Sequence, residues 1–242
     1  MSPWYEKSFG EDYLLVYRHR DQVHASKEID AICTWMELGG GETVLDLCCG
    51  TGRHSIELAH KGLHVTGMDL STTLLRHGRR CNQHENVHYV QGDMRKVPFA
   101  DHSFDAVMNL FTSFGYFIED HENSKVLTEI KRVLKPGGKF VIDFLNRYSV
   151  EKHLIPESRR QEEDTLIVEE RKIEGPFVHK KITVTDNEGT RTYQERVKMY
   201  TRDEMVQMMG QAGLAIDAVY GDYEGKMYKE ESARMIFVGT AR

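Results

Sequence analysis

This sequence of 242 residues has no long apolar run and no cysteine or histidine pattern typical of a metal site. No apolar stretch approaches the roughly 18 residues that a membrane helix needs, and no basic segment followed by an apolar one begins the chain. The four cysteines form no CxxC pair, and the twelve histidines form no HExxH motif. We therefore expect a cytoplasmic protein with reduced cysteines, no membrane span and no metal.

A basic surface is also lacking, because 38 acidic residues outnumber 32 basic ones and the formal net charge is −6. Proteins that hold nucleic acid through its phosphates need a basic surface, so nucleic acid is not the expected partner. The length and a hydrophobic content of 40% suffice to bury a full core. We expect a single domain over residues 1–242.

The strongest signal is an apolar run that contains an acid and is followed by two glycines. The acid is Asp46, and the glycines are Gly50 and Gly52. This order is typical of a strand, a tight turn and a helix N-terminus that binds a nucleotide. A second apolar run, 64–68, ends in Asp69, which can accept hydrogen bonds from both hydroxyls of a ribose. An adenosine-containing cofactor is therefore predicted.

Details of the turn favour S-adenosylmethionine over NAD. A dinucleotide site spaces three glycines as GxGxxG, whereas Ser55 occupies the third position here. The carboxylate of Asp46 would repel a pyrophosphate, but it suits a ligand that carries an ammonium and a sulfonium. An NAD-dependent oxidoreductase is therefore the less favoured interpretation.

Four motifs resemble those of the class I S-adenosylmethionine-dependent methyltransferases. In order, they are residues 45–52, the ribose-binding motif 65–71, the adenine-contacting motif 91–94 and the turn 134–140 before the fifth strand. Cys48 stands where this family often has glycine. The resemblance implies a cofactor site formed by Tyr13, Asp46, Cys48, Gly50, Gly52, Asp69, Leu70, Asp93, Met94 and Leu110.

Apolar runs that alternate with helical segments predict an α/β fold, Rossmann-like and doubly wound. The resemblance implies a seven-stranded, mostly parallel sheet. The predicted strands are 43–47, 64–69, 87–90, 104–109, 138–144, 214–220 and 234–240. Helices are predicted at 26–38, at 121–134, and after the capping box that Thr201 forms with Glu204.

Residues 151–200 interrupt this alternation. Short runs at 166–170, 180–185 and 192–200, with a turn at 186–189, predict an antiparallel β insertion. The insertion could cover the substrate, form a dimer contact, or do both. A homodimer is therefore one alternative that the sequence leaves open.

Substrate is expected at the carboxyl edge of the parallel strands. Residues 1–38 are predicted to form an N-terminal helical lid over this edge, although Tyr13 and Tyr17 could instead pack on the sheet. The candidate catalytic residues are Tyr17, His19 and Tyr116. The candidate substrate contacts are Phe114, Tyr116, Asn146 and Arg147.

The predicted activity is methyl transfer from S-adenosylmethionine to a nitrogen or oxygen nucleophile of a small-molecule acceptor. This transfer is an in-line displacement at an activated methyl group, so positioning and water exclusion can supply most of the rate enhancement. An RNA methyltransferase and a non-catalytic protein that binds S-adenosylmethionine are the alternatives.

Overall fold

A computed structural model describes residues 3–18 and 22–242, so the candidate His19 lies outside the described residues. The helices in these residues are α1 (Trp4–Lys7), α2 (Glu11–Val16), α3 (Gln22–Trp35), α4 (Arg53–His60), α5 (Thr72–Cys81), α6 (Asp120–Val133), α7 (Arg147–His153) and α8 (Arg202–Gln211). The strands are β1 (Thr43–Leu47), β2 (His64–Asp69), β3 (Val87–Gln91), β4 (Phe104–Asn109), β5 (Leu134–Leu145), β6 (Glu157–Glu162), β7 (Thr165–Glu174), β8 (Phe177–Asp186), β9 (Gly189–Lys198), β10 (Leu214–Tyr220) and β11 (Arg234–Ala241).

Seven strands form one sheet in the order β10-β11-β5-β4-β1-β2-β3. The strands from β5 to β3 are parallel, whereas β11 runs antiparallel to both β5 and β10. The predicted seven-stranded, mostly parallel sheet is thus confirmed. β1, β2 and β4 occupy the predicted residues, because both faces of these strands are buried and their apolar runs are continuous.

The boundary between α6 and β5 differs from the prediction. β5 begins at Leu134, which pairs with Phe104, but the next pair joins Ala106 to Lys139. One residue on β4 is therefore opposite four residues on β5, so 135–138 bulge out of the ladder. Gly137 lies at this bulge with a φ of 73°.

Helices cover both faces of the large sheet. On one face, Ile29 and Ile32 of α3 pack in a core with Val44 of β1. On the other face, Leu127 and Ile130 of α6 pack in a second core. The helix predicted at 26–38 is therefore α3, and it belongs to a helical layer rather than to a lid.

The insertion is an antiparallel sheet in the order β6-β7-β8-β9. It has four strands where three shorter ones were predicted, and α7 occupies the start of the 151–200 segment. β6, with the sequence ESRRQE, was missed because it contains no apolar residue. The predicted turn is confirmed, since β8 ends at Asp186 and β9 begins at Gly189.

The first two helices pack on this insertion. α1 lies against β9, where the Ser8 hydroxyl donates a hydrogen bond to the Gln194 carbonyl at 2.6 Å. Val16 of α2 is buried with Ile167 and Ile182 in a small core of its own. Among the described residues, the predicted lid can therefore comprise only residues 3–18.

One buried carboxylate organises the cations of the insertion. Glu169 is 7% exposed and lies 2.7 Å from Lys180 Nζ and 3.5 Å from Arg160 Nη1, and it also accepts a hydrogen bond from Arg171. Burial alone would raise the pKa of Glu169. The hydrogen bond and charge of Lys180, with the charges of Arg171 and Arg160, outweigh burial and lower this pKa to about 2.

We predict that Glu169→Gln lowers the free energy of unfolding at pH 7 by about 1–3 kcal/mol, because three cations lose their shared carboxylate. The pKa of Glu169 in the folded protein is below its ordinary value, so its stabilisation is complete above about pH 4.5 and declines as pH falls toward 2. Urea unfolding of wild type and variant between pH 7 and pH 3 should show the difference shrinking.

Glu174→Gln is the matched control for this experiment, because Glu174 lies on the same strand with a side chain 56% exposed. Its effect should be small at every pH. A Glu169→Gln effect that stays constant from pH 7 to pH 3 would contradict the assigned role.

Candidate active site

The turn after β1 has a left-handed backbone at three positions, with φ of 64° at Cys48, 58° at Gly50 and 78° at Gly52. Cys48 adopts a conformation that is costly for any residue but glycine. At Gly52 a side chain is excluded for two reasons, since a Cβ would also lie 2.0 Å from the hydroxyl of Tyr89. The glycine spacing seen in the sequence is therefore a backbone requirement of this turn.

Two carboxylates lie beside the turn, at the ends of adjacent strands. Asp46 is 2% exposed and accepts a hydrogen bond from the Ser55 hydroxyl at 2.6 Å, so the residue that replaces the third glycine has a partner. Asp69 accepts backbone hydrogen bonds from Gly50 and Ser71, both at 2.8 Å. Burial raises the pKa of both carboxyl groups. A cation bound here would favour their ionised forms.

A cavity of about 830 Å³ opens at this edge of the sheet. Of the ten predicted cofactor residues, nine line it: Tyr13, Asp46, Cys48, Gly50, Asp69, Leu70, Asp93, Met94 and Leu110. Gly52 does not line the cavity, although its neighbours Thr51 and Arg53 do. The volume is in the range of small-molecule and cofactor sites.

Asp93 has a strong partner within the protein. Its carboxylate binds the guanidinium of Arg95, with the shortest contact at 2.6 Å, and Arg95 also binds Glu122 at 2.8 Å. Burial would raise the pKa of Asp93, but the Arg95 hydrogen bonds and charge lower it. Asp93 therefore lies at the cavity as an ionised group whose position is fixed by Arg95.

The far end of the cavity is lined by α2 and the insertion. The Tyr17 hydroxyl donates to Glu195 at 2.7 Å and accepts from Lys180 Nζ at 2.8 Å. The ring of Tyr13 lies 4.5 Å from that of Tyr17, between centroids. Tyr116, which also lines the cavity, lies on the loop after β4. The structure thus brings together Tyr13, Tyr17 and Tyr116, and it adds Glu195 and Lys180.

Sequence reasoning missed Glu195 and Lys180. Glu195 is 178 residues from Tyr17 in sequence. Lys180 lies on β8 and Glu195 on β9, in strands that read as alternating polar and apolar positions. The sequence carries no local signal for this contact, because each residue is one of several charged residues on its strand.

Three predicted substrate contacts lie away from the cavity. Phe114 is fully buried in the core, with its ring 5.9 Å from that of Phe144. Asn146 caps α7 and donates to the carbonyls of Glu230 and Ser232. Arg147 pairs with Glu151 at 2.7 Å on α7. These three assignments are corrected. Phe114 is part of the core, and the polar groups of Asn146 and Arg147 bind other residues of the protein.

The loop after β4 is held in a strained conformation by β5. Phe111 and Thr112 have φ of 56° and 62°, and their N–H groups donate to the Asp143 side chain at 3.0 Å and to its carbonyl at 2.9 Å. Asp143 in turn binds Arg234. The guanidinium carbons of Arg53 and Arg234 lie 4.3 and 5.5 Å from the centroid of the Phe111 ring. These contacts fix the loop from Phe111 to Tyr116, which forms one wall of the cavity.

Two negative findings apply to residues 3–18 and 22–242. In these residues, histidine, cysteine, aspartate and glutamate side chains do not form a group of three or more that could hold a metal ion. Over the same ranges, every helix is too short or too polar to cross a membrane.

The fold, the left-handed turn after β1 and the acid at the end of β2 define a class I S-adenosylmethionine-dependent methyltransferase domain. More particularly, residues 44–138 match the model of the family described as "Methyltransferase domain".

Comparison with other proteins agrees with this assignment. A demethylmenaquinone methyltransferase of Renibacterium salmoninarum is 42% identical over 102 residues, which are 42% of this chain and 40% of that protein. The chain spans about half the length of the curated relatives that it matches.

Two solved structures share the fold over nearly the whole chain. The CcbJ methyltransferase of Streptomyces caelestis has a TM-score of 0.82 at 21% identity, covering 98% of this chain and 99% of that one. CalS10 of Micromonospora echinaspora, an amino pentose methyltransferase solved with S-adenosylmethionine bound, has a TM-score of 0.70 at 24% identity, with coverages of 96% and 97%.

The residues present fit S-adenosylmethionine, the cofactor of this family. Each oxygen of Asp69 accepts one backbone hydrogen bond and keeps a further acceptor position for a ribose hydroxyl. Asp46 supplies a buried carboxylate for the cationic end of the cofactor, and the turn around Gly50 lets a ligand approach the backbone. When bound, the cofactor supplies an activated methyl group.

We predict that Gly52→Ala lowers the free energy of unfolding by about 1–3 kcal/mol more than Gly41→Ala, because Tyr89 must move to admit the new methyl group. Gly41 is the matched control, since its φ is also positive, at 90°, and no atom lies within 4 Å of a Cβ built there. Chemical denaturation measures the difference. Calorimetry should also show weaker S-adenosylhomocysteine binding for Gly52→Ala alone. Equal losses in the two variants would refute the Tyr89 explanation.

Proposed function

We propose that the protein transfers the methyl group of S-adenosylmethionine to a nitrogen or oxygen nucleophile of a small acceptor molecule. One observation carries this proposal. A single cavity extends from the cofactor residues Asp46 and Asp69 to a chamber lined by Tyr17, Lys180 and Glu195. Helices α1 and α2 and the insertion wall this chamber, so an acceptor bound there would lie next to the cofactor.

Aromatic rings of the chamber suit methyl transfer. Trp4, Tyr13, Tyr116 and Phe117 line the cavity, and the ring centroids of Trp4 and Tyr116 are 4.9 Å apart. Aromatic faces attract a cation such as a sulfonium, and a wall of rings excludes water from the reacting methyl group. The catalytic contribution of these residues is then positioning and desolvation.

Proton transfer differs between the two acceptor types. A neutral amine attacks without a base, whereas a hydroxyl has to lose its proton during the reaction. Burial raises the pKa of Tyr116 well above its ordinary value, which disfavours Tyr116 as a base. The Tyr17 hydroxyl, in contact with Glu195, can receive a proton that passes on to the carboxylate. We therefore assign the base for a hydroxyl acceptor to this pair.

The names of structural neighbours support a small acceptor. CalS10 is described as an amino pentose methyltransferase, and KedS8 of a Streptoalloteichus species as a sugar N-methyltransferase. The demethylmenaquinone methyltransferase relatives match only part of the chain, so they bear less on the acceptor. An RNA acceptor fits less well with a formal net charge of −6. The cytoplasmic location and the homodimer stay predictions.

We predict that Asp69→Asn weakens S-adenosylmethionine and S-adenosylhomocysteine binding by about 10- to 100-fold, because charged hydrogen bonds to the ribose are lost. Isothermal titration of wild type and variant measures this change. Asp217→Asn serves as the control, since Asp217 is an exposed acid on β10. Unchanged binding in Asp69→Asn, or no binding by folded wild type, would rule out the assigned cofactor site.

We predict that Tyr17→Phe has little effect on kcat for an amine acceptor and lowers kcat about 10²- to 10⁴-fold for a hydroxyl acceptor. Formation of S-adenosylhomocysteine with panels of amines and hydroxylated metabolites first identifies the acceptor, and the variant is then assayed with it. Cofactor binding without turnover of any acceptor would support the non-catalytic alternative. A large loss with an amine would contradict the assigned role of Tyr17.

A further inference from the structure

Two arginines that take no part in the proposed mechanism line the cavity of the candidate active site. Arg53 begins α4 and Arg234 begins β11, and their guanidinium carbons lie 4.3 and 5.5 Å from the centroid of the same ring, that of Phe111. Their side chains are 14% and 26% exposed. Both guanidinium groups therefore reach the surface of the cavity in one place, which we call the arginine corner.

Each guanidinium keeps N–H groups that are not used within the protein. Arg53 donates one hydrogen bond, from Nη1 to the Glu28 carboxylate at 3.1 Å. Arg234 donates to Asp143 through Nε and to Thr112 through Nη2. Over the part of the chain that the structure describes, Nε and Nη2 of Arg53 and Nη1 of Arg234 have no partner, and they are not among the buried polar atoms that lack one. These donors are therefore accessible to a ligand in the cavity.

The acids that pair with the two arginines do not line the cavity. Glu28 and Asp143 are absent from its lining, and Asp143 is fully buried. Five other acids line the cavity, and in the described ranges none of them forms an ion pair with either arginine: Glu11, Asp46, Asp69, Asp93 and Glu195. The arginine corner thus presents unpaired cationic donors to the cavity. A guanidinium has a planar set of donors that matches the two oxygens of a carboxylate.

Asp46 lies close to the arginine corner. Its carboxylate accepts a hydrogen bond from Ser55, which is two residues after Arg53 on α4. Burial raises the pKa of Asp46, and the charges of His54 and Arg53 act in the opposite direction. The α-amino acid end of a ligand carries an ammonium next to a carboxylate. Such a group meets complementary charges here, with Asp46 for the ammonium and Arg53 for the carboxylate.

We propose that Arg53 and Arg234 form a carboxylate subsite in this cavity. The carboxylate can come from two sources: the amino acid end of S-adenosylmethionine, or an anionic group on the acceptor. The neighbouring Asp46 favours the cofactor as the source. The acceptor as the source rests on the proposed function, whereas the cofactor as the source requires only that the cofactor binds.

Cofactor binding tests the subsite without turnover. Isothermal titration compares S-adenosylhomocysteine with its decarboxylated analogue, which keeps the amine and lacks only the carboxylate. We expect Arg53→Gln to weaken S-adenosylhomocysteine binding about tenfold or more, because a neutral amide replaces the charged donors. The affinity for the decarboxylated analogue should be unchanged, since it has no group for Arg53 to bind.

Arg147→Gln is the matched control, because Arg147 also pairs with one carboxylate, that of Glu151, but does not line the cavity. This variant should change neither affinity. Arg234→Lys is the second test variant, since it keeps a positive charge beside the buried Asp143 and removes the planar donors. It should show the same selectivity for the carboxylate with a smaller loss, and circular dichroism melts establish that each variant is folded.

The acceptor as the source is tested on protein saturated with S-adenosylhomocysteine. Acetate and inorganic phosphate are titrated at constant ionic strength into wild type and Arg53→Gln. Anion binding that the variant weakens about tenfold, with unchanged affinity for S-adenosylhomocysteine, would support the subsite and assign it to the acceptor.

Two results would overturn the carboxylate subsite. One is an equal loss of affinity for S-adenosylhomocysteine and its decarboxylated analogue in Arg53→Gln, and the other is no change in affinity for any of these ligands. Failure of the proposed function is distinguishable from both, because it appears as absence of product with every acceptor while the selectivity for the carboxylate remains.

Discussion

The site depends on the two backbone hydrogen bonds that the carboxylate of Asp69 accepts. It joins the turn after β1, through the N–H of Gly50, to the turn after β2, through the N–H of Ser71. Ser71 then caps α5, and its hydroxyl donates to the carbonyl of Phe9 in the N-terminal segment at 2.6 Å. One buried acid thus connects the cofactor turn, the sheet edge and the cover of the cavity, and its position is set by backbone groups.

The cover over the cavity is stabilised by contacts that are distant in sequence. Val16 shares a small core with Ile167 and Ile182, while Asp12 binds Arg191 at 2.6 Å. The hydrogen bond from Arg191 lowers the pKa of Asp12, and this effect is larger than the opposing effect of burial. The pair therefore stays ionised. The proposed acceptor chamber is therefore formed by two segments that are distant in sequence and that stabilise each other.

Sequence patterns located the strands that are buried along most of their length. β1, β2 and β4 are buried on both faces, so their apolar runs end where the strands end. β6 was missed because its six residues are all polar and its pairing with β7 supplies the stabilisation. Phe114 and Asn146 were misplaced for a related reason. Like residues that do line the cavity, such as Tyr116 and Leu145, they come shortly after or at the end of a parallel strand. Only the path of the loop in space decides which of these side chains reach the cavity.

The sequence by itself determined the parallel core and the cofactor turn, because both depend on local requirements: continuous burial in the strands, and positive φ at Gly50 and Gly52. Tertiary structure alone decided which side chains meet at the proposed acceptor chamber. Glu195 and Lys180 reach Tyr17 across more than 160 residues. Such pairings follow from chain folding in space, and no local pattern encodes them.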